Sequence, residues 1–484
     1  MTPVTNSKPN VIVILSDDQG YWAVQGPDNN EIETPNLNRL AMSGTRLKDF
    51  FCASPVCSPA RATLLTGAIP SHHGVHDWIR SGNCDSSRNK AGARAGYLDG
   101  HTGYSDILSR NGYVCGISGK WHLGDSGIPR KGFTFWDVHA EGGGPYHNAP
   151  MFRGSAFYRE DRYITDAITD NAIRFIDGQK DNSQPFYLSI HYTAPHSPWG
   201  RDHHPNETYD HYFKECPFNS VPRLKLHRDH INTSEYGHDE ESRRAILSGY
   251  FAAVTEMDRN IGRVMDYLEY LKISDNTLIV FTSDNGMNMG HHGIYGKGNG
   301  TYPQNMYDTS VRVPAIFNWP DQIPSDVSRP DLLSQYDFMP TLMDLLGIMD
   351  HRSEEKPGRS FAQLLTHGRS EDRESVAVYD EYGAVRMIRT EEWKYVHRSR
   401  DGSDELFNMT EDPGEERNLA TNPEFNNIQK DLRILMEDWF QRYSDPEMDG
   451  RKELVTGRGQ LAAIRSQAAP GARFADDWKY VFRR

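Results

Sequence analysis

"NVIVILSDD", residues 10–18, sets five aliphatic side chains in a row and closes them with two adjacent carboxylates. A strand with one face in water alternates apolar and polar residues. This run does not alternate, so both its faces must be covered. "TLIVFTSDNG" (277–286) repeats the pattern and also ends in acid, and "PFYLSIHY" (185–192) is a third such run. Amphipathic segments separate them. "TPNLNRLAMSGTRLKDFF" (34–51) reads as a helix and its exit, and "TGYSDILSRNGYVCGISGKWHLG" (102–124) as helix, glycine turn and strand. "DRYITDAITDNAIRFID" (161–177) carries apolar residues at three- and four-residue steps, and a long helix spans about 240–271. Buried strands alternating with helices specify an α/β fold over 1–350: a large, mainly parallel or mixed sheet sandwiched by helices.

From about residue 351 the texture changes. "SVAVYDEYGAVRMIRTEEWKYVHR" (375–398) alternates like strands broken by turns, and "NNIQKDLRILMEDWFQRY" (426–443) is one amphipathic helix. This predicts a smaller C-terminal α+β domain over 351–446, an antiparallel sheet plus a helix, followed by an extended tail over 447–484. The stretch 193–241 is long, rich in proline and histidine, and without periodicity, which predicts a polar lid facing the substrate rather than a second metal site.

The chain has 484 residues, 37% hydrophobic and 25% charged, with a net charge of −14. That charge argues against nucleic acid or anionic lipid as a partner. An anionic substrate is still allowed, because a metal ion and a few basic side chains can invert the field locally. No apolar run approaches the roughly 20 residues of a membrane span. "MTPVTNSKPN" has no basic or apolar leader character, so the expectation is a cytoplasmic protein, or a periplasmic or secreted one if a leader has been removed. Cys52, Cys57, Cys84, Cys115 and Cys216 are odd in number and scattered, which fits neither a disulfide framework nor a zinc site.

Asp17–Asp18 and Asp284–Asn285 each terminate a buried strand. In open α/β sheets ligands bind beyond the carboxyl ends of strands, so the two pairs can meet in one crevice. Three carboxylates and an amide oxygen suit one hard divalent cation, calcium first and magnesium as the alternative. Either pair alone also reads as a helix cap or a turn; together they favour a metal.

"CSPARATLLTG" (57–67) reads as a short helix with Pro59 at its first position and Gly67 as its stop. Cys57 would then sit at the helix N-terminus, where amide N–H groups attract anions and depress a thiol pKa, with Arg61 one turn on. A thiolate nucleophile and a buried cysteine beside a surface arginine are both open on these residues alone.

Cys57-Ser58-Pro59-Ala60-Arg61 continuing into "ATLLTG" resembles the signature of the type I, formylglycine-dependent sulfatases of the alkaline phosphatase superfamily. "GKWHLG" (119–124), "APHSP" (194–198), "SDNG" (283–286), "GIYGKG" (293–298) and "VRVP" (311–314) follow in the order of that family's motifs. The resemblance implies an alkaline phosphatase-like fold and Cys57 oxidised to formylglycine by a formylglycine-generating or anaerobic maturation enzyme. It implies Asp17, Asp18, Asp284 and Asn285 as ligands of one divalent cation that also touches residue 57. One hydroxyl of the hydrated aldehyde would attack sulfur, and the second would expel sulfate. Arg61, Lys120 and Lys297 would hold the sulfate, His122 would take the proton of the diol, and His196 would protonate the leaving alcohol.

The substrate this implies is a sulfate ester, of a carbohydrate given the polar, aromatic-dotted pocket rim. Candidate contacts are Asp77, Trp78 and Arg80 in "HGVHDWIR", His291 and His292 in "GHHG", and Trp199, with His292 and Arg80 placed first. Two alternatives stay open: a phosphonate monoester or phosphodiester hydrolase of the same superfamily, and a non-catalytic binder of sulfated glycans. Asn285 in place of a histidine tilts the reading towards sulfate.

Overall fold

The structure is a computed structural model; it describes residues 8–27, 29–80, 96–231, 236–349, 355–368 and 377–476. The chain opens with β1 (Asn10–Ser16), α1 (Pro35–Met42), β2 (Thr45–Phe51), α2 (Cys57–Thr66), α3 (Pro70–His73) and α4 (Tyr104–Arg110). Strands β3 (Val114–Lys120), β4 (Phe133–His139), β5 (Ala149–Arg153) and β6 (Ala156–Glu160) precede α5 (Ile164–Gln179) and β7 (Phe186–His191). Helices α6 (Asn206–Glu215) and α7 (Glu240–Tyr270) lead to β8 (Thr277–Ser283) and a two-residue ribbon of β9 (Asn288–Met289) and β10 (Tyr295–Gly296). Then come α8 (Asp308–Val311), β11 (Arg312–Asn318), β12 (Val327–Ser334), α9 (Phe338–Leu345) and α10 (Ala362–His367).

Ten strands form one mixed sheet in the order β12-β2-β11-β8-β1-β7-β3-β4-β5-β6. Its centre, β8-β1-β7-β3, is wholly parallel. Side chains of β1 alternate between the two faces. Val11, Val13 and Leu15 pack with residues of α2, α4 and α9, while Ile12 and Ile14 pack with residues of α1, α5 and α7. That two-sided burial is the physical reason for the unbroken aliphatic run.

Two sequence expectations change here. The "exit" after α1 is itself a strand, β2, seated inside the sheet between β11 and β12; Arg46 and Lys48 mask its apolar partners Leu47, Phe50 and Phe51. The segment 193–241 is more than a lid: it contains α6, and Tyr209, Tyr212, Phe218 and Val221 pack against α7 through Leu247, Phe251 and Val254.

The smaller C-terminal domain is a separate antiparallel sheet of β13 (Val378–Tyr382), β14 (Val385–Arg389), β15 (Trp393–Arg398) and β16 (Glu405–Asn408). Helix α11 (Asn426–Tyr443) seats Leu432, Met436 and Phe440 on Ile388, Tyr395 and Leu406. The expected tail does not extend away from the body. It folds back over the large domain, and Gln460 is wholly buried there. Residues 350–354, where the domain boundary was expected, lie outside the described residues. Among the described residues no helix is long and apolar enough to cross a membrane.

Candidate active site

Register alone brings the acids together. Ser16 of β1 pairs with Ser283 of β8, so Asp17 and Asp284 leave adjacent parallel strands side by side. Lys120 ends β3, next but one to β1, and His196 follows β7 between them. Four neighbouring strands therefore deliver their C-terminal residues to one crevice, as open α/β sheets do.

The carboxylates of Asp17, Asp18 and Asp284 offer oxygens within 4.8 Å of one another. Asn285 completes the set. Its Nδ2 donates to Asp18 Oδ1 and to Gly286 O, both at 2.8 Å, which fixes the amide and leaves a buried Oδ1 without a partner. Three hard carboxylates and one unsatisfied amide oxygen are a donor set that could hold a divalent cation.

Basic groups interleave with the acids. Lys120 Nζ donates to Asp17 Oδ2 at 2.6 Å, and Arg61 Nε to Asp284 Oδ2 at 2.8 Å. Arg61 is 3% exposed, so it is a buried arginine and not a surface one. Its Nη1 donates to the carbonyl of Lys120 at 3.1 Å, and its Nη2 has no hydrogen-bond partner. Lys297 Nζ donates to Asp18 Oδ1 and reaches Cys57 Sγ at 2.7 Å. Burial alone would raise the Asp284 carboxyl, but Arg61, Lys120 and Lys297 hold it below the usual carboxylate value.

Cys57 is the first residue of α2, and Gly67 ends that helix in the left-handed conformation at φ 67°. Pro59 is thus the third helical residue, two places later than expected. The thiol lies 3.3 Å from Asp17 Oδ1. Burial pushes its pKa up and Asp17 adds to this, outweighing Lys120 and Lys297, so of the two open readings the buried thiol is favoured over the thiolate. Cys52, Cys115 and Cys216 are buried free thiols; Cys84 lies outside the described residues.

His122 has φ 55°, so it does not continue β3 in register with Lys120. Its Nε2 lies 3.0 Å from the carbonyl of Ile79. A carbonyl only accepts, so Nε2 carries the proton and the buried, unpartnered Nδ1 is left as a base. Burial holds this ring neutral, well below the usual histidine pKa. His196 is partly exposed, with Nε2 3.7 Å from Asp18 Oδ2. The "GGG" of residues 142–144, passed over in the sequence, packs each glycine on one histidine. A Cβ would fall 2.2 Å from the His122 ring at Gly142, 2.9 Å from His196 at Gly143, and 3.0 Å from His139 at Gly144.

Above these groups opens a cavity of about 460 Å3. Asp18, Cys57, His122, His196 and Lys297 lie in its lining, while Trp78, Arg80, Glu141 and Arg458 are among its other wall residues. Trp199 also lines it but is only 1% exposed, its Nε1 bonded to Pro195 O, so it packs against α7 and offers no free ring face.

Three expected substrate contacts do not line the cavity. Asp77 is wholly buried and accepts from Trp78 N, Tyr382 Oη and Gly459 N at 2.9, 2.6 and 3.0 Å. "GHHG" forms a tight turn, with His292 at φ 55° and Gly293 at φ 71°, that lays both rings on neighbouring aromatics. His291 sits on Trp22 at 4.5 Å and His292 stacks on Tyr307 at 3.8 Å.

Residues 9–348 match the family model "Sulfatase", and residues 290–442 match the model for the C-terminal region of N-sulphoglucosamine sulphohydrolase. An N-acetylglucosamine-6-O-sulfatase of Bacteroides thetaiotaomicron is 26% identical, over 93% of this chain and 89% of that one. Among solved structures, a protein in complex with its substrate D-glucosamine-2-N,6-O-disulfate superposes with a TM-score of 0.76 at 24% identity, covering 92% of this chain and all of that one. The phosphonate monoester hydrolase of Agrobacterium radiobacter shares the fold, with a TM-score of 0.69 at 20% identity, covering 90% and 96%.

Proposed function

Because the chain belongs to the sulfatase family, the sulfuric ester hydrolases, we propose that it releases sulfate from a sulfated carbohydrate through residue 57, with one divalent cation, calcium, held by Asp17, Asp18, Asp284 and Asn285. The observation that carries this reading is the ring of Arg61, Lys120 and Lys297 around three carboxylates and Cys57 Sγ. It leaves cationic donors for a sulfate once a cation neutralises the acids.

Matured to formylglycine, residue 57 would supply a hydrated aldehyde, one hydroxyl to displace the alcohol from sulfur and a second to expel sulfate by breaking the carbon–oxygen bond and restoring the aldehyde. A bound cation would neutralise the carboxylates and draw electron density from the sulfate oxygens. The other roles belong to side chains. Arg61, oriented by Asp284 and by the Lys120 carbonyl, presents Nη2 to a sulfate oxygen. Lys297 and Lys120 stabilise charge that develops on the sulfate and on the departing oxygen. His122 Nδ1 accepts the proton of the residue-57 hydroxyl, and His196, at the cavity wall, donates a proton to the leaving alcohol.

The relative named for a glucosamine-type 6-O-sulfate supports a carbohydrate leaving group. The test is sulfate release from a panel of sulfated saccharides, with an aryl sulfate and a phosphonate monoester alongside. The enzyme is co-produced with a formylglycine-generating enzyme, and Cys57→Ala is the control. Sulfate from a saccharide, lost in the control, supports the reading; turnover of the phosphonate alone overturns it. Tight binding of sulfated saccharide without release, in protein whose residue 57 is an aldehyde by mass, would make the chain a binder.

A further inference from the structure

The outer wall of the cavity is built by two stretches some 380 positions apart in the chain. Gln460 N donates to Trp78 O at 2.8 Å, and Arg80 N donates to Gln460 O at 2.9 Å, a parallel bridge between the 78–80 and 460 segments. The Gln460 side chain accepts from His76 N at 2.9 Å and donates to Gly74 O at 3.0 Å. Trp78 Nε1 and Asn299 Nδ2 both donate to the Gly457 carbonyl, at 3.2 and 3.1 Å. Gly459 has φ 108°, and a Cβ there would meet Arg80 Cβ at 2.7 Å and the Trp78 ring at 3.0 Å, so only glycine lets the segments lie this close. Together these contacts fix Trp78, Arg80 and Arg458 as one surface, with Arg80 Nη1 on the Arg458 carbonyl at 3.3 Å.

This surface carries two guanidinium groups in addition to Arg61, Lys120 and Lys297 at the sulfate. The cavity volume, about 460 Å3, is of the size that encloses a drug-sized ligand rather than a sulfate ion alone. Guanidinium forks match carboxylate and sulfate oxygens in pairs, and an indole face beside them suits the apolar face of a sugar ring.

Resting on the sulfatase reading above, we propose that Trp78, Arg80 and Arg458 form a second anion subsite, so that the substrate is an acidic saccharide carrying another carboxylate or sulfate besides the one released. Arg80 and Arg458 are the specificity determinants and Trp78 the platform for the sugar that bears the second charge.

The matured enzyme is assayed on pairs that differ only in the second charge: a 6-O-sulfated glucosamine with and without a 2-N-sulfate, and a sulfated hexosamine–uronate disaccharide with its uronate free or methyl-esterified. The expected result is an about ten- to hundredfold higher kcat/KM on the charged member of at least one pair, the size of a lost charged hydrogen bond. Which pair shows it tells sulfate from carboxylate. Arg458→Met and Arg80→Met, which keep the apolar stems, collapse that ratio towards one. In parallel, calorimetry titrates the desulfated uronate disaccharide into wild type and Arg458→Met, a readout independent of turnover. Equal kcat/KM within both pairs, or binding that Arg458→Met leaves unaltered, overturns the subsite while leaving the sulfatase reading intact. Sulfate release from no member, with binding still dependent on Arg458, overturns the sulfatase reading and keeps the subsite.

Discussion

Lys297 Nζ stands 2.7 Å from Cys57 Sγ while also bonded to Asp18. One ammonium thus bridges the residue expected to attack and an acid expected to hold the cation. Burial opposes its charge, but the Asp18 and Asp17 carboxylates hold it firmly protonated, well above the usual lysine value. In the proposed reaction it would be a fixed positive donor where negative charge develops.

Lys297→Ala should therefore lower kcat by about 10²–10³, the cost of one lost donor at a developing oxyanion. Lys297→Arg should recover part of it. Steady-state kinetics on the best sulfate ester measure both, and a loss below tenfold in the alanine variant would remove Lys297 from the chemistry.

Gly143→Ala places a methyl 2.9 Å from the His196 ring. The ring must turn or the loop must shift, and a displacement of about 1 Å at a catalytic group costs up to ~100-fold. We expect kcat to fall about 10- to 100-fold while the melting temperature changes by only a few degrees. A matching collapse of stability would assign the glycine to folding instead.

Chelation should cost both activity and stability. A cation held by Asp17, Asp18, Asp284 and Asn285 stabilises the folded state by about 2.7 kcal/mol at a free concentration 100 times its Kd. Scanning calorimetry with chelator, calcium and magnesium reads this. Calcium should raise the melting temperature most and restore sulfate release; identical melts in all three conditions would count against any metal here.

Acidification should unfold the protein early. Burial lowers His76 to about 4 and His204 to about 3, against 6.5 in the unfolded chain. Both are neutral in the fold, so the unfolded state binds more protons between those values, and their stabilisation, complete above 6.5, is lost as pH falls. Each contributes up to ~1.4 kcal/mol per pH unit. Asp77, raised by burial to about 6, acts in the opposite sense: the folded state binds its proton first, so it offsets part of the loss between about 4 and 6. Melts from pH 7.5 to 4.5 should decline steeply below about 6.5, less steeply in His76→Gln.

The two domains are joined by a buried ion cluster. Lys394 of β15, wholly buried, donates to Asp308 at 2.8 Å and to Glu415 at 2.6 Å. Lys394→Met removes the ammonium that both carboxylates share, leaving Asp308 with Arg312 at 3.9 Å and Glu415 with only the Asp308 backbone N–H, and should cost ~3–5 kcal/mol. Denaturant unfolding measures it, and adding Asp308→Asn should recover part of the loss.

Much of this was legible in the chain because its signals are local. Five aliphatic residues ending in Asp17–Asp18 announce a doubly covered strand and its functional end, and "SDNG" does the same for Asp284–Asn285. The strand β2 was hidden because Arg46 and Lys48 interrupt it, and only its neighbours β11 and β12 explain its burial. Asp77 and His292 misled for a different reason. Their neighbourhoods are set by Gly459, 382 positions away, and by the turn that stacks His292 on Tyr307, and neither leaves a mark in a linear motif. The glycine run 142–144 did leave one, since three adjacent glycines imply a close approach, but nothing in the sequence named the histidines it approaches.

The wall formed by Gly457 and Arg458 lies beyond both matched family spans, which end at residues 348 and 442. The groups that would break the sulfate ester and a wall that would greet the sugar therefore sit on separable stretches of chain. Arg458 can vary without disturbing the former, while Gly459 and Gln460 keep the 74–80 segment in place and stay fixed. In a molecule built this way, diversification towards new glycans requires no invention of new chemistry. It requires only a different ending.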